Sequence, residues 1–301
     1  QFQLIDKDFH AGRRSRSSLI GIACDEINSA GPEATNDEDQ RRKFAEWNLS
    51  AGQDISLQSD FASALYYFSQ GIEFLGKDCW VLDPKLSLEL HTGAVFASFA
   101  LGEEHDVVAR YAQYVIDHAS FEDAIEVRQV ILRSLTHSGK HEECTSKGLE
   151  ILRRLDFEIA SNPTPESVMT AMSSTDGIAS KFSMEQIIAL CEKSVDDAEK
   201  RVVKSLDATM ASCILSSSPF LPLAACGMIQ YSFQHGICPE STTAFAMFAM
   251  LKIFLAQDYE GARYWADAVL EMENKHRSIN NSGVKLLTQA PLALVRNYSK
   301  H

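Results

Sequence analysis

The strongest candidate for nucleotide chemistry is a short segment that contains Gly139-Lys140. A phosphate-binding loop needs Gly, four residues and then Gly-Lys-Ser/Thr, because bare backbone N–H groups must surround the phosphates. In this chain Ser134 replaces the first Gly, and His141 replaces the hydroxyl residue. The segment therefore predicts a turn between two helices rather than a nucleotide site.

Histidine and carboxylate pairs at short spacing are the other candidates for chemistry. His137 and His141 are four residues apart, but Gly139 between them is expected to end a helix, so a shared metal-binding face is not predicted. The sequence contains no H-E-x-x-H, G-x-S-x-G or G-x-G-x-x-G motif. Carboxylates occur in pairs at Glu103-Glu104, Glu142-Glu143 and Asp196-Asp197. These pairs are expected at helix starts or on a charged face, and the positive end of a helix stabilises negative charge.

We accordingly predict no catalytic, cofactor-binding or metal-binding residue in this chain and do not expect it to be an enzyme. An all-α enzyme stays open as a third hypothesis, which a pocket with convergent titratable groups would favour. No cofactor is expected.

The overall composition is that of a globular protein with an acidic surface. Of the 301 residues, 45% are hydrophobic and 23% are charged, which is enough apolar material for a core. The net charge of -13 disfavours nucleic-acid binding, because neutralising phosphates requires a stripe of Lys and Arg. The basic clusters Arg13–Arg16 and Arg41–Lys43 are short. We therefore predict a protein partner and no nucleic acid.

Three serines lie in and just after the first basic cluster, in the sequence Arg13-Arg14-Ser15-Arg16-Ser17-Ser18. Such a run suits a phosphorylating enzyme, and an added phosphate would change the local charge strongly. Regulatory phosphorylation of Ser15, Ser17 and Ser18 is one hypothesis, and an unmodified exposed loop is the alternative.

The cysteines and apolar runs indicate a reduced, soluble protein. Seven cysteines are scattered without a C-x-x-C pair, which is typical of small core residues rather than of disulfides or a zinc site. The apolar run Ala244–Leu255 is interrupted by Lys252 and is shorter than the ~20 residues that span a membrane. With no signal segment present, a cytoplasmic location without a membrane partner is expected. The chain starts on Gln1, so it is interpreted as a piece of a longer protein.

Elements that position these residues are predicted to be paired helices joined by short turns. A small residue in the second helix of each pair lets two antiparallel helices approach closely, as in tetratricopeptide repeats. Marker residues lie twelve positions apart at Gly52/Ala64, Ala97/Ala109, Leu132/Cys144 and Met250/Ala262.

The repeats are degenerate, because Ala64 and Ala109 are 45 residues apart whereas Ala109 and Cys144 are 35 apart, against ~34 in a regular array. Strand patterns are close to absent. We predict an all-α protein, an α-α superhelix of tetratricopeptide-like helix pairs, whose helix-packing signature comprises Gly52, Ala64, Ala97, Ala109, Gly139, Gly236 and Ala262.

Helix starts are marked by capping patterns. Asp83-Pro84 and Thr164-Pro165 each place a cap residue before Pro in the first turn, and Ser183–Gln186 fits a capping box. Leu19–Ile22 is compatible with helix or strand. The stretch Ser29–Asp39 predicts a loop whose last carboxylates stabilise the next helix.

Two Ser- and Pro-containing stretches, Ser161–Thr175 and Ser216–Pro219, predict breaks in the helical array. The predicted organisation is a tail of a preceding module with an acidic loop, tetratricopeptide-like repeats, and degenerate helical repeats that continue the solenoid. These parts comprise residues 1–39, 40–160 and 161–301.

Several segments resemble one family. The stretch Trp47–Gly52, followed by Asp60–Leu75, resembles the "LN..AG" and "Y..A..Y...G...L" pattern of the helical region that follows the Orc1-like AAA ATPase module in multidomain signalling proteins. Gly139–Leu155 and Met228–Gly236 are similar to later stretches of that region. At the front, Phe2–Asp6 faintly resembles the end of the module's winged-helix tail, with Ile5 in place of the family's His.

The resemblance implies a non-catalytic helical scaffold for protein-protein interaction or signal relay. Its neighbours in the parent protein would be an AAA ATPase module, a serine/threonine kinase domain, and a histidine kinase or nucleotide cyclase domain. The implied partners are those neighbouring domains or a partner peptide, and no catalytic residue carries over. A free-standing tetratricopeptide adaptor that binds partner peptides is the alternative.

Overall fold

The computed structural model describes residues 13–160 and 163–280, together with positions 293 and 295. In these ranges the backbone forms fourteen α-helices and contains no β-strand, so the prediction of an all-α protein is confirmed. The chain divides into two compact units, residues 1–134 and residues 135–301. The stretch Ser161–Thr175, where the sequence suggests a boundary, belongs to the second unit.

The first unit is built from helices that contact their near neighbours in the sequence. The helices are α1 (Arg13–Ala30), α2 (Glu38–Ser56), α3 (Phe61–Leu75), α4 (Cys79–Leu82), α5 (Pro84–Ala100), α6 (His105–His118) and α7 (Ile125–His137), the last of which ends in the second unit. Helix α2 packs on α1, α3 and α5. Helix α5 also packs on α3, on α6 and on the short helix α4.

One aromatic ring holds α2, α3 and α5 together. The Phe68 side chain of α3 is buried between Gly52 of α2 and Gly93 of α5. A Cβ atom at either glycine would lie 2.6 Å from Phe68 Cε1, which is closer than packed carbon atoms can approach. Glycine is therefore required at both positions for these helices to pack around the ring.

The second unit joins helices that are distant in the sequence. Its helices are α8 (His141–Arg154), α9 (Pro165–Ala179), α10 (Met184–Ala189), α11 (Asp197–Leu215), α12 (Leu221–His235), α13 (Thr242–Phe254) and α14 (Tyr259–Asn280). Helix α8 packs on α11, α9 packs on α12, and α10 packs on α14. The last four helices, α11 to α14, each contact the next one along the chain.

The apolar helix α13 forms the centre of the second unit's core. Its side chains from Thr242 to Ala249 are all buried, which explains the long apolar run in the sequence. Lys252, which interrupts that run, is also buried and binds two carboxylates. Among the described helices, none has both the length and the apolarity needed to cross a membrane.

The capping patterns predicted from the sequence are confirmed. The side chains of Asp83, Thr164 and Ser183 accept hydrogen bonds from backbone N–H groups in the first turns of α5, α9 and α10. Asp37 caps α2 in the same way, which agrees with the carboxylates expected at the end of the acidic loop. The predicted break at Ser216–Pro219 separates α11 from α12. The break predicted over Ser161–Thr175 is wrong from Pro165 onward, because the Thr164 cap starts α9 there.

The N-terminal part differs from the expected loop. Leu19–Ile22 is helical, and α1 continues to Ala30 before a short 3-10 helix at Pro32–Ala34. The loop predicted over Ser29–Asp39 is therefore shorter than expected, because the apolar face of α1 continues to Ile27 and extends the helix. The segment Phe2–Asp6 lies outside the described residues.

Candidate functional site

The predicted helix-packing residues have two different environments. Gly52, Ala64, Ala97 and Ala262 are buried in helices, whereas Ala109 is half-buried. The remaining two lie just after helix ends with positive φ, at +75° for Gly139 and +120° for Gly236. Only glycine adopts such angles without strain. These two glycines therefore end helices, which differs from the predicted role of a small residue that lets two helices approach.

The segment with Gly139-Lys140 is a turn between α7 and α8, as the sequence predicts. His141 begins α8, and its Nδ1 lies 2.9 Å from Oγ of the buried Ser212 in α11. His137 is exposed at the end of α7. In the part of the chain that the structure describes, no three His, Cys, Asp or Glu side chains are grouped as a metal site would require.

Two further histidines, His91 and His118, lie on helices of the first unit. His91 is buried, and its Nδ1 lies 2.7 Å from the carbonyl oxygen of Ser87. Burial lowers the pKa of His91, because the buried ring lacks the water that would stabilise its charged form. The Trp80 ring lies beside His91 and stacks on His118 with a centroid separation of 5.2 Å.

All seven cysteines lie within the described residues and are buried, which agrees with their interpretation as core residues. Burial raises the pKa of the Cys24 and Cys191 thiols to about 12. Because the thiolate is the reactive form, these buried thiols are chemically inert while the structure stays closed.

Ser15, Ser17 and Ser18 lie in the first half of α1, where the backbone is helical. The alternative of an exposed loop at this position is therefore replaced by a helix. Their side chains fall outside the described residues, so the phosphorylation hypothesis stays a prediction.

In the first unit, a cleft of about 450 Å³ lies where α1 meets α2. Phe44 and Trp47 of α2 provide its aromatic wall, and Ile27 and Ala30 of α1 contribute apolar surface. The ammonium group of Lys43 lies 5.4 Å from the centre of the Trp47 ring. We call this pocket the Trp47 cleft. It combines an aromatic anchor surface with an exposed cation, a pairing that suits recognition of a protein segment.

The turn between α1 and α2 fixes the shape of the Trp47 cleft. Gly31 has φ of +74° and donates its N–H to the Ile27 carbonyl, which ends α1. Arg41 Nε donates to the Thr35 carbonyl at 2.8 Å, and the Asp37 carboxylate caps α2. These contacts hold the start of α2 and the end of α1 on the two sides of the cleft.

Polar side chains attach α1 to the pair formed by α2 and α3. Asn28 and Asn48 exchange two amide hydrogen bonds of 2.9 Å while both are buried. The Tyr67 hydroxyl of α3 donates to Asp25 Oδ1 at 2.7 Å. Burial and the hydrogen bond to Asp25 raise the pKa of Tyr67 above its usual range. The hydroxyl therefore stays protonated and remains a donor.

Asp25 and Asn28 are not predicted from the sequence as contact residues. They lie in residues 1–39, for which the sequence predicts a tail and a loop without contact to the repeats. A usable signal was present in Cys24-Asp25-Glu26-Ile27-Asn28, where apolar residues three apart and polar residues three apart indicate two adjacent stripes of one helix.

A second cleft, of about 470 Å³, lies between the start of α8 and the serine-rich turn Ser216–Ser218. Glu142 lines this cleft, and Glu143 follows it in the first turn of α8. These carboxylates occupy the helix end where an anion would otherwise be attracted, so a phosphate ligand is disfavoured there.

Comparison with known proteins gives no relative for this chain: no protein-family model, curated protein or solved structure matches it.

Proposed function

We propose that this chain is a non-catalytic helical scaffold that binds a segment of a partner protein in the Trp47 cleft. The cleft itself carries the proposal, because it places half-buried Phe44 and Trp47 next to solvent in an otherwise well-packed helix pair. Aromatic side chains in such positions supply much of the binding energy in protein interfaces. A partner segment with an apolar anchor would complement Trp47, and polar groups beside that anchor would meet Lys43 and Glu26, which also line the cleft.

Helix-pair packing supports a tetratricopeptide-like arrangement in the first unit. The contacts of α2 with α3 and α5, and of α5 with α6, are those that successive antiparallel pairs make in such repeats. A stack of this kind offers a surface to a partner without needing catalytic groups. The arrangement favours an interaction role over the all-α enzyme.

A relay role within a multidomain signalling protein rests on the sequence resemblance to the region after an Orc1-like AAA ATPase module. Trp47 begins the segment that carries this resemblance. The coding sequence on both sides tests the assignment. A phosphate-binding loop encoded upstream supports it, whereas an initiator Met with a stop codon just before Gln1 favours the free-standing adaptor.

Selection from a random-peptide library against the full chain tests binding at the Trp47 cleft. The dissociation constants of selected peptides are then measured for the wild type, Trp47→Ala, Lys43→Gln and Leu57→Ala. We expect Trp47→Ala to weaken binding at least tenfold, as truncation of an interface anchor does. Lys43→Gln should weaken it roughly threefold, as loss of an exposed charge does.

Leu57 is 86% exposed and does not line the cleft, so Leu57→Ala is the matched control and should leave binding unchanged. Thermal melts confirm that each variant is folded. Selected peptides whose dissociation constants are unchanged by both Trp47→Ala and Lys43→Gln would contradict binding at the Trp47 cleft. ATP turnover by the purified chain would contradict the non-catalytic role.

A further inference from the structure

Polar contacts fix the position of α1 along the pair formed by α2 and α3. Asp25 meets the Tyr67 hydroxyl, and Asn28, one helical turn later, meets Asn48 through two hydrogen bonds. Sliding the helix by one residue would break all three hydrogen bonds at once. The surface on α2 and α3 is therefore specific for a helix with a carboxylate and a carboxamide three residues apart.

Over residues 21–30, where the structure describes the side chains of α1, three apolar side chains are buried. Among the described side chains of α1, the buried apolar ones are Ala23, Cys24 and Ile27, while Ile22 on the same helix is 61% exposed. In α13, by contrast, eight consecutive side chains are buried. A helix held by few apolar contacts separates from its neighbours at a lower free-energy cost than a core helix.

We propose that the surface formed by Asn48, Ala51 and Tyr67 is a helix-acceptor groove, that α1 is its internal ligand, and that a partner helix of matching chemistry displaces α1. The partner carries a small residue, Asp, any residue, an aliphatic residue and Asn in succession, as in Cys24-Asp25-Glu26-Ile27-Asn28. This inference rests on the proposed interaction function. It adds the chemistry of the partner helix and the role of α1 in controlling access to the groove. Because Ile27 and Ala30 of α1 line one side of the Trp47 cleft, displacement of α1 would leave the partner helix to form that side.

Competition between α1 and an added helix has a distinctive dependence on mutations. The apparent affinity for the added helix is reduced by the fraction of chains in which α1 occupies the groove. A substitution on α1 weakens the internal ligand alone and so strengthens binding of the added helix. A substitution in the groove weakens both ligands equally, and the two effects cancel.

The test uses the full chain and a fluorescein-labelled peptide of residues 13–31, with binding followed by anisotropy under reducing conditions. We expect the Asp25→Ala chain to bind the peptide about tenfold more tightly than the wild type, the effect of losing one charge-assisted hydrogen bond in α1. The Tyr67→Phe chain should bind it about as well as the wild type. A peptide carrying Asp25→Ala should bind the wild-type chain about tenfold more weakly.

Equal affinity of the wild-type and Asp25→Ala chains for the peptide, or equal affinity of the two peptides, would overturn the proposal. Concentration-dependent dimerisation of the Asp25→Ala chain in sedimentation would also overturn it, because the occupant would then be a second copy. Library peptides that depend on Trp47 while the 13–31 peptide fails would refute this inference and leave the proposed function standing.

Thiol labelling of the native chain gives a second readout without a ligand. Cys24 of α1 is fully buried beside Ala51 and Tyr67, and Cys213 is fully buried in the second unit. We expect mass spectrometry to show Cys24 alkylated at least tenfold faster than Cys213, and faster again in the Asp25→Ala chain. Equal rates at the two thiols would show that α1 does not open separately from the rest of the fold.

Discussion

The two units of the molecule bury apolar residues through different kinds of contact. In the first unit, α2, α3 and α5 follow one another along the chain and meet around the single ring of Phe68. In the second unit, α8 packs on α11 and α9 on α12, so the core forms between segments far apart in the sequence. The core of the first unit therefore depends on contacts between helices that are close in the sequence. The core of the second unit depends on contacts between helices that are far apart in the sequence.

This difference determines where each unit tolerates change. The described part of α1 in the first unit is attached by the hydrogen bonds of Asp25 and Asn28 and by three buried apolar side chains, which suits a contact that exchanges partners. In the second unit, the side chains of α13 from Thr242 to Ala249 are all buried, which suits a stable support. The following substitutions test this contrast.

The largest effect is expected for Phe68→Ala in the first unit. Removing the ring leaves a cavity between Gly52 and Gly93, and neither glycine has a side chain to fill it. Loss of a buried Phe costs about 3–5 kcal/mol of unfolding free energy, as measured by urea denaturation. Phe96→Ala is the control, since Phe96 is 40% exposed and should cost about 1 kcal/mol or less. Equal losses for the two variants would contradict the central position of Phe68.

A matched pair of glycine substitutions tests long-range packing in the second unit. A Cβ atom at Gly148 of α8 would lie 2.1 Å from Thr209 Oγ1 of α11, whereas Gly177 of α9 has no atom within 4 Å of that position. Gly148→Ala should destabilise by about 1–3 kcal/mol through overpacking. Gly177→Ala should stabilise by about 0.5–1 kcal/mol, because Ala favours helix. Chemical denaturation of both variants checks the opposite signs, and the same sign for both would refute the α8–α11 contact.

Lys252→Met tests the buried cation of the second unit. Lys252 Nζ lies 2.6 Å from Asp176 Oδ2 and 2.8 Å from Asp258 Oδ2. Burial lowers the pKa of Lys252, but the hydrogen bonds and charges of the two carboxylates outweigh it and raise the pKa overall. Methionine keeps the apolar stem and loses these bonds, which should cost about 1–2 kcal/mol at pH 7.

The same variant has a defined pH dependence. The hydrogen bond from Lys252, and then that from the Gly261 N–H, lower the pKa of Asp258 from its usual 3.8. A lowered carboxyl pKa stabilises the folded state above 3.8, and the stabilisation is lost as the pH falls through the folded pKa. The difference between wild type and Lys252→Met should therefore shrink below pH 3.8. A difference that stays constant from pH 7 to pH 3 would show that Lys252 acts by packing alone.

The smallest effect is expected at His91 of the first unit, on acidification from pH 7 to pH 5. Burial lowers the pKa of His91 from 6.5, so the unfolded chain takes up a proton before the folded chain does. Stability is complete above pH 6.5 and falls as the pH drops towards the folded pKa. Urea midpoints at the two pH values should fall less for His91→Gln than for the wild type. An identical fall in both chains would assign the pH dependence to other groups.

The sequence predicted those features that depend on neighbouring residues. Caps at Asp83, Thr164 and Ser183 follow from side chains that reach only the next turn, so a short window of sequence contains the whole interaction. The pairing of Gly52 with Ala64 identified two buried positions of adjacent helices for the same reason. Ala109, chosen by the same spacing, is half-buried instead, because the packed face of α6 carries Val108 and Ala112.

Features that depend on distant residues were not predictable in this way. Gly148 has no local mark that names Thr209 as its neighbour, and Lys252 looks like an interruption until Asp176 and Asp258 are placed beside it. The Trp47 cleft was partly predictable, since Trp47 was singled out by sequence. Its second wall comes from α1, which sequence patterns alone assigned to a tail.

Hydrogen exchange of the full chain, with and without a library-selected peptide, tests the role of the Trp47 cleft most directly. If the cleft is the binding site, added protection will be confined to residues 26–47, which contain all of its lining residues, and it will disappear in the Trp47→Ala chain. Protection that falls in the second unit, or that persists in Trp47→Ala, would contradict this role.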